Sequence, residues 1–183
     1  MGGVTGDIEI DRRFTVDELE GLPDDGRRYE LSDGWLLVSP MVRRLHQVGC
    51  KNLARILDAS CPGHLYVFPL PINVDDPDRT HFEPDLTIVR REFATIENGD
   101  VPLLVAEVRS PSTAGREAVL KRSGYARLAV PHYWLVDVDE PSVRILRWRA
   151  GGYDEIAFAA GDEPVTVTEP FTVTVVPSQL VRV

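Results

Sequence analysis

Residues 103–108 form a nearly continuous apolar run, and a single acid, Glu107, interrupts it near its end. A short apolar run without polar alternation is typical of a strand that other elements cover on both faces. An ionised carboxylate beside a core is costly unless a cation or hydrogen bonds compensate it. The run therefore predicts a layered domain around a central strand, and it marks Glu107 as either paired or functional.

The chain on either side of this run predicts helices interleaved with further strands. Apolar spacing and a capping-box pattern predict helices from Thr15 to about Leu22, over 42–59 and over 115–128. Strands are predicted over 28–31, 35–38, 65–68, 70–74, 84–89, 132–138, 143–148, 153–158, 165–167 and 171–176, with turns at 32–34, 75–78 and 139–141. This order indicates an α/β or α+β domain, in which helices flank a mixed and mostly antiparallel sheet.

The length of 183 residues suits one domain with its own core. We therefore expect a single domain over 1–183, with residues 1–13 as a loosely ordered N-terminal segment. No stretch approaches the roughly 20 apolar residues that a membrane span needs, and the first residues lack a signal-peptide pattern. The two cysteines, Cys50 and Cys61, are interpreted as lying in no CxxC or Cys/His metal spacing. Lone thiols fit a reducing cytoplasm, and nothing in the sequence marks Cys50 as an activated nucleophile.

The net charge of −9 argues against nucleic-acid binding driven by overall charge. It does not exclude a nuclease, because carboxylates that bind a metal add negative charge, which the cation would offset. A local basic patch could still contact phosphates.

Asp85 and Glu107 are the strongest candidates for chemistry. Asp85 follows Pro84 at the start of a predicted strand, and the interval to Glu107 allows a strand, a turn and a return strand. Two carboxylates on adjacent strands can hold Mg²⁺ or Mn²⁺, which prefer oxygen ligands. Such an ion polarises a scissile phosphate and lowers the pKa of bound water. A nearby cation can then stabilise the developing charge, and Arg109 and Lys121 are both candidates.

The position of each cation follows from the expected elements. Arg109 shares a strand face with Glu107, since side chains alternate along a strand. Glu117, Lys121 and Tyr125 are spaced i, i+4, i+8 and form one stripe on the following helix. Tyr125 either lines the site and contacts substrate or packs the helix.

An ordered series of short motifs resembles the Uma-two family of restriction-endonuclease-like proteins, with a weaker PD-(D/E)xK nuclease signature inside it. The resemblance runs from about Phe14 to Leu180. Its motifs are Arg28-Tyr29-Glu30-Leu31-Ser32-Asp33-Gly34, Ser39-Pro40, His46-Gln47, Pro84-Asp85-Leu86, Glu107-Val108-Arg109-Ser110-Pro111-Ser112-Thr113, Lys121, Tyr125-Ala126 and Val130-Pro131-His132-Tyr133-Trp134-Leu135-Val136-Asp137.

The resemblance implies a restriction-endonuclease-like core with an acidic site at the open end of the sheet. By matched position, Asp85 and Glu107 would be the main metal ligands and Glu30 a third carboxylate. Lys121 would supply from the helix the lysine that the strand lacks. The family pattern has an aliphatic residue where Arg109 stands, so Arg109 could assist Lys121 or pair with an acid of the site. The resemblance also implies a homodimer.

Other residues carry weaker signals. His46 lies on the first long helix beside Arg43 and Arg44, and it is either part of a phosphate-binding patch or of a partly exposed helix face. The remaining histidines show no zinc-ligand spacing. Tyr133 and Trp134 are interpreted as core strand residues, and the hydroxyls of Ser110, Ser112 and Thr113 as helix caps.

Our hypothesis from the sequence is an endonuclease that hydrolyses DNA with Mg²⁺ or Mn²⁺. The alternative is a binding or regulatory module that keeps the nuclease fold without turnover, which the acidic composition favours. A purely structural protein is a third class, and it predicts an ion pair between Glu107 and Arg109. No P-loop, dinucleotide fingerprint or serine-nucleophile elbow is present in the sequence.

Overall fold

The computed structural model describes residues 12–39, 43–69, 74–76, 79–95, 101–109 and 116–183. The predictions for the N-terminal segment up to residue 11 and for hydroxyl caps at 110–113 lie outside these residues, and so do residues 70–73 of the strand predicted over 70–74.

The order of helices and strands alternates as the sequence predicts. The α-helices in the described residues are α1 (Val16–Leu19), α2 (Arg44–Ser60) and α3 (Arg116–Arg127). The strands are β1 (Arg28–Ser32), β2 (Trp35–Ser39), β3 (Leu65–Phe68), β4 (Val74–Asp76), β5 (Thr80–Phe82), β6 (Leu86–Arg90), β7 (Leu104–Arg109), β8 (His132–Asp137), β9 (Ser142–Arg149), β10 (Gly152–Ala160), β11 (Val165–Val167) and β12 (Val173–Val175). Short 3₁₀ helices span Arg91–Phe93 and Pro177–Val181.

A six-stranded sheet in the order β10-β9-β8-β7-β6-β3 forms the centre of the described fold. Strands β7 and β8 pair in parallel, whereas the other neighbours in this sheet are antiparallel. The parallel pair requires a crossover, and α3 supplies it. The prediction of a mixed, mostly antiparallel sheet flanked by helices is confirmed, and so is the interior position of the apolar strand.

A second sheet has the order β2-β1-β5-β4. Its β1–β2 hairpin turns at Asp33 and Gly34, whose φ angles are 51° and 76°. Two consecutive positive φ values are typical of the primed turns that connect antiparallel strands tightly, and aspartate followed by glycine favours them. The hairpin predicted with a turn at 32–34 is thus confirmed.

The two faces of β7 contact different layers. Ala106 and Val108 pack in the same core cluster as Leu53 and Leu57 of α2. Val105 belongs to a second cluster with aromatic residues of α3 and β8. This alternation follows from the two-residue repeat of a strand, and it leaves Glu107 on the same face as Val105.

Two glycines let the helices approach the sheets closely. A Cβ on Gly49 of α2 would lie 2.6 Å from a methyl group of Val138, and a Cβ on Gly124 of α3 would lie 2.4 Å from the ring of Phe82. Separations under 3.0 Å are not tolerated, so these two helix positions accept no side chain without a shift.

Some boundaries differ from the predictions. The turn predicted at 75–78 is wrong in its first half, because residues 75 and 76 belong to β4, which pairs with the unpredicted strand β5. The first helix ends at Leu19 rather than at about Leu22. Glu18 accepts the Thr15 backbone N–H at 2.8 Å, as the capping-box pattern predicts.

The C-terminal segment is anchored to α2 by one buried side chain. The amide nitrogen of Asn52 donates to the backbone carbonyls of Leu180 and Arg182, at 3.0 and 2.8 Å, and lies 3.4 Å from that of Gln179. None of the described helices is long and apolar enough to cross a membrane.

Candidate functional site

The antiparallel register of β6 and β7 brings the two principal carboxylates together. Leu86 pairs with Ala106, and the next step of this register places Asp85 opposite Glu107. The backbone N–H of Val108 donates to Asp85 Oδ2 at 2.8 Å, which fixes the carboxylate at the end of β6. Two acids distant in sequence therefore meet at one edge of the central sheet.

A cluster of buried charged groups surrounds Glu107. Lys121 Nζ lies 3.1 Å from both carboxylate oxygens of Glu107 and 2.7 Å from Glu30 Oε2. The Tyr125 hydroxyl donates to Glu107 Oε1 at 2.7 Å, and the Glu83 N–H donates to Glu30 Oε1 at 2.8 Å. Glu30, Glu107 and Lys121 are each at most 4% exposed, so their charges compensate one another with little help from solvent.

Helix α3 delivers Lys121 and Tyr125 because it packs tightly on β1 and β5. Gly124 lies against the Phe82 ring, and the Ser32 hydroxyl donates to the Leu120 carbonyl at 3.2 Å. Lys121 and Tyr125 are one helical turn apart and therefore share a face. Their shared face is turned toward Glu107, as the predicted stripe requires for these two residues.

Asp85 has a separate set of partners. Arg28 Nη1 lies 3.0 Å from Oδ1, and His46 Nε2 lies 3.1 Å from Oδ2. Burial opposes ionisation of Asp85, but the hydrogen bond from His46, the charge of Arg28 and the Val108 N–H outweigh it. The pKa of Asp85 is therefore lower than its ordinary value.

Glu107 shows the opposite behaviour. Burial, with the charges of Asp85 and Glu30, raises the pKa of Glu107 to about 7, although Lys121 and Tyr125 act in the other direction. Asp85, Glu30 and Glu107 thus bring three buried carboxylates together at this edge of the sheet. Carboxylate oxygens are the donors that Mg²⁺ and Mn²⁺ prefer, so the residues present fit a hard divalent cation.

The structure places the remaining predicted residues at the margin of this cluster. Arg109 is half-buried at the end of β7, and in the described part of the chain no ion pair joins it to Glu107 or Glu30. His46 contacts Asp85 directly, and Arg43 of the predicted phosphate-binding patch is paired with Asp139. The side chain of Tyr125 is fully buried, which favours packing over substrate contact.

The structure brings together one group of residues that the sequence interpretation did not connect. Cys50 was expected to take no part in a Cys/His metal spacing, yet its Sγ lies with His46 and Asp85 in a group whose ligand atoms are within 4.8 Å of one another. The signal was present, because His46 and Cys50 are i, i+4 on one helix and so share a face. Burial raises the pKa of the Cys50 thiol, which agrees with the expectation that it is not an activated nucleophile.

Arg28 is the functional candidate that sequence reasoning missed. It is largely buried, and besides Asp85 it contacts the Glu83 carbonyl at 3.0 Å. Burial opposes its charge, but Asp85, Glu30 and Glu107 together raise the pKa of Arg28 further above its ordinary value. Arg28 is the first residue of the sequence motif that contains Glu30. Only the pairing of β1 with β5 shows that Arg28 lies near Asp85.

Comparisons with known proteins show the family of the chain and the kind of fold that it has. The chain matches the model of a family described as "Uma2: Putative restriction endonuclease" over residues 16–177. Its fold is similar to the crystal structure of a putative nuclease belonging to DUF820 from Anabaena variabilis ATCC 29413, with a TM-score of 0.66 and 20% sequence identity. That similarity covers 86% of this chain and 89% of the other. No curated protein matches the chain.

Proposed function

Because the chain belongs to the Uma2 family of restriction-endonuclease-like proteins, we propose that it is an endonuclease that hydrolyses DNA with a divalent metal ion. The proposal is supported by the family, which is described as putative restriction endonucleases, and by the structure of similar fold, which is described as a putative nuclease. The observation that carries the proposal is the convergence of three buried carboxylates and Lys121 at one edge of the central sheet.

In this proposal Asp85 and Glu107 hold Mg²⁺ or Mn²⁺, and Glu30 supports them. The metal, when bound, polarises the scissile phosphate and lowers the pKa of a water molecule. Binding of the ion favours the ionised form of Glu107, since a nearby positive charge lowers the pKa of a carboxyl group. The chain itself contributes a fixed and largely dry arrangement of ligands, whose positions the sheet register sets.

Lys121 is the cation of the site in this proposal. Its ammonium group lies between Glu30 and Glu107, where it can orient a water molecule and stabilise negative charge that builds on the phosphate. Tyr125 positions Glu107 rather than contacting substrate, because its buried hydroxyl donates to that carboxylate. Arg109, at the end of β7, is assigned to phosphate contact.

DNA as the substrate and a homodimer as the active form are further parts of the proposal. The overall negative charge means that phosphate contacts must come from local groups such as His46 and Arg109. A single compact site cuts one strand, so two copies are needed to cut both. A light-scattering mass of twice 20.4 kDa is expected, and a mass equal to one chain would contradict the dimer.

Plasmid cleavage with matched variants tests the proposal. Supercoiled plasmid is incubated with Mn²⁺ and purified wild-type protein, Asp85→Asn, Glu107→Gln or Lys121→Met. We expect each variant to lose at least about 100-fold in rate, as removal of one charge-stabilising group typically does. Glu140→Gln and Lys51→Met make the same changes at exposed positions and should cleave like wild type. Equal nicking by all proteins would indicate contamination and remove the catalytic role.

The partners of Asp85 favour the second candidate, a nuclease-fold module that binds without turnover. The oxygens of this carboxylate already contact Arg28 and His46 and accept the Val108 N–H. Calorimetric titration with Mn²⁺ separates the candidates. Micromolar binding that Asp85→Ala abolishes would support an active metal site, whereas no binding would support the module.

A further inference from the structure

A second set of possible metal donors lies where α2 meets Asp85. His46 and Cys50 are one helical turn apart, and Cys50 Sγ lies 3.5 Å from His46 Nδ1 and 3.9 Å from Nε2. His46 Nε2 in turn lies 3.1 Å from Asp85 Oδ2. The close approach of α2 at Gly49, which contacts Val108 and Val138, holds this part of the helix against the sheet.

These separations agree with the geometry of a tetrahedral soft-metal site. Zinc binds thiolate sulfur at about 2.3 Å and imidazole nitrogen or carboxylate oxygen at about 2.0–2.2 Å. Two donors on such a tetrahedron are therefore about 3.3–3.6 Å apart. With His46 Nε2 as the ligand atom, its separations from Asp85 Oδ2 and Cys50 Sγ are 3.1 and 3.9 Å. One donor atom from each of the three residues lies within 4.8 Å of the others, so side-chain adjustments can bring the three donors to one ion.

We propose that His46, Cys50 and Asp85 bind a thiophilic divalent cation of the zinc class, and that this ion inhibits cleavage by withdrawing Asp85 from the catalytic metal. The inhibitory part rests on the proposed endonuclease function, whereas the binding part does not. When the ion binds, the Cys50 thiol releases its proton to solvent. The proton on His46 Nε2, which is donated to Asp85, also leaves that nitrogen, and Nδ1 carries the remaining ring proton. His46, whose side chain is 14% exposed, gives the ion a route from solvent and leaves room for water as the fourth ligand.

The two proposed sites offer different donor types, and a zinc-class ion and Mg²⁺ or Mn²⁺ would therefore each prefer a different site. Thiolate and imidazole select zinc-class ions, whereas carboxylate and water select magnesium and manganese. Glu107 and Glu30 offer only oxygen, on the α3 side of the sheet edge, and Cys50 offers sulfur on the α2 side. Asp85 is the one residue that both proposed sites share. Occupation of the soft site therefore removes a ligand from the hard site.

Cobalt(II) is the probe for the binding part, because thiolate coordination gives Co²⁺ an intense near-ultraviolet charge-transfer absorption. The full-length protein is titrated with Co²⁺, followed by displacement with Zn²⁺. We expect a saturable band at one ion per chain in wild type and in the matched control Cys61→Ser, and no band in Cys50→Ser. His46→Gln should weaken Co²⁺ binding at least about 10-fold. Absence of the band from wild type, or its persistence in Cys50→Ser, would overturn the site.

The inhibitory part has its own readout. Mn²⁺-supported plasmid cleavage is measured with increasing Zn²⁺ in wild type, Cys61→Ser and Cys50→Ser. Inhibition of the first two proteins at the Zn²⁺ concentration that displaces Co²⁺, with at least about 10-fold more Zn²⁺ needed for Cys50→Ser, is the expected result. Equal inhibition of all three would overturn the switch. If no protein cleaves, the proposed endonuclease function fails, whereas the absorption titration still decides the soft-metal site. Thermal melting of each variant confirms that it is folded.

Discussion

The protonation of Glu107 sets the electrostatics of the site at the scale of single residues. Its pKa of about 7 in the metal-free protein compares with an ordinary value of 4.5. Between these values the folded protein holds a proton that the unfolded chain releases. The stability that this proton confers is present below about pH 4.5 and is lost as the pH rises through 7.

Metal-free wild type should therefore lose stability between pH 5 and pH 8, and Glu107→Gln should not show this part of the loss. The expected difference is on the order of 2–3 kcal/mol, since one pKa unit corresponds to about 1.4 kcal/mol. Urea unfolding in the presence of a chelator, at both pH values, measures it. Asp85 does not interfere, because its lowered pKa places its own contribution to acid denaturation below this window. If the free energy of unfolding changed with pH in the same way in both proteins, the raised pKa of Glu107 would be contradicted.

Tyr125→Phe tests whether the buried hydroxyl positions Glu107. It removes a 2.7 Å hydrogen bond to a charged acceptor, which is worth about 1.5–3 kcal/mol. We expect cleavage to fall about 10-fold and the Mn²⁺ concentration for half-maximal rate to rise. Tyr29→Phe is the matched control, because its hydroxyl also contacts a carboxylate, that of Asp25, but at the surface. Unchanged Mn²⁺ dependence in Tyr125→Phe would leave that residue with a packing role only.

The sequence contains enough information to predict individual site residues only where local chemistry is unusual. Glu107 interrupts an apolar strand, and Asp85 follows a proline at a strand start, so both could be found from their neighbours. Arg28 lies in an ordinary strand pattern, and the i, i+4 spacing of His46 and Cys50 does not indicate that Asp85 lies beside them. The positions of Arg28 and Cys50 near Asp85 depend on which elements pack together, and this is a property of the tertiary structure.

Helices and strands also differ in how well the sequence predicts them. Long helices and apolar strands have a strong periodic signal, and α2, α3, β7 and the β8–β9 hairpin are found close to their predicted bounds. Strands β4 and β5 have three residues each, too few for a periodic pattern, and pairing with each other stabilises them. Whether such short strands form is decided by tertiary contacts.

The packing of α3 depends on the missing side chain at Gly124. Gly124→Ala should destabilise the protein by about 1–3 kcal/mol, because the new methyl group would overlap the buried ring of Phe82. An alanine in a helix otherwise gains up to about 1 kcal/mol over glycine, so the sign of the change is informative. Urea unfolding gives the measurement. Cleavage should fall as well, since Lys121 lies one turn away.

Ser123→Ala, at the exposed neighbouring position, is the control for this prediction. It improves helix propensity without meeting the sheet and should be neutral or slightly stabilising. A Gly124→Ala protein that is more stable than wild type would show that α3 can move away from Phe82 at no cost.

At the scale of the whole molecule, Asn52 joins the end of the chain to the helix that carries His46. Asn52→Ala leaves backbone carbonyls of the C-terminal segment without their buried donor, and an unsatisfied buried group costs about 1–3 kcal/mol. We expect a destabilisation of this size, measured by urea unfolding. Lys51→Ala changes the exposed adjacent position and should have an effect within about 0.5 kcal/mol. Equal stability of the two variants would mean that water replaces the amide.

The alternation of faces along β7 constrains how this protein could change in evolution. A single-residue insertion or deletion within the strand, ahead of Glu107, would turn every later side chain of the strand to the opposite face of the sheet. The carboxylate would then turn toward Leu53 and Leu57, and an apolar side chain would turn toward Lys121. Substitutions at the outer strands can accumulate one at a time, whereas a length change in β7 would abolish core and candidate site together. Loops, rather than this strand, are where we expect insertions among related chains.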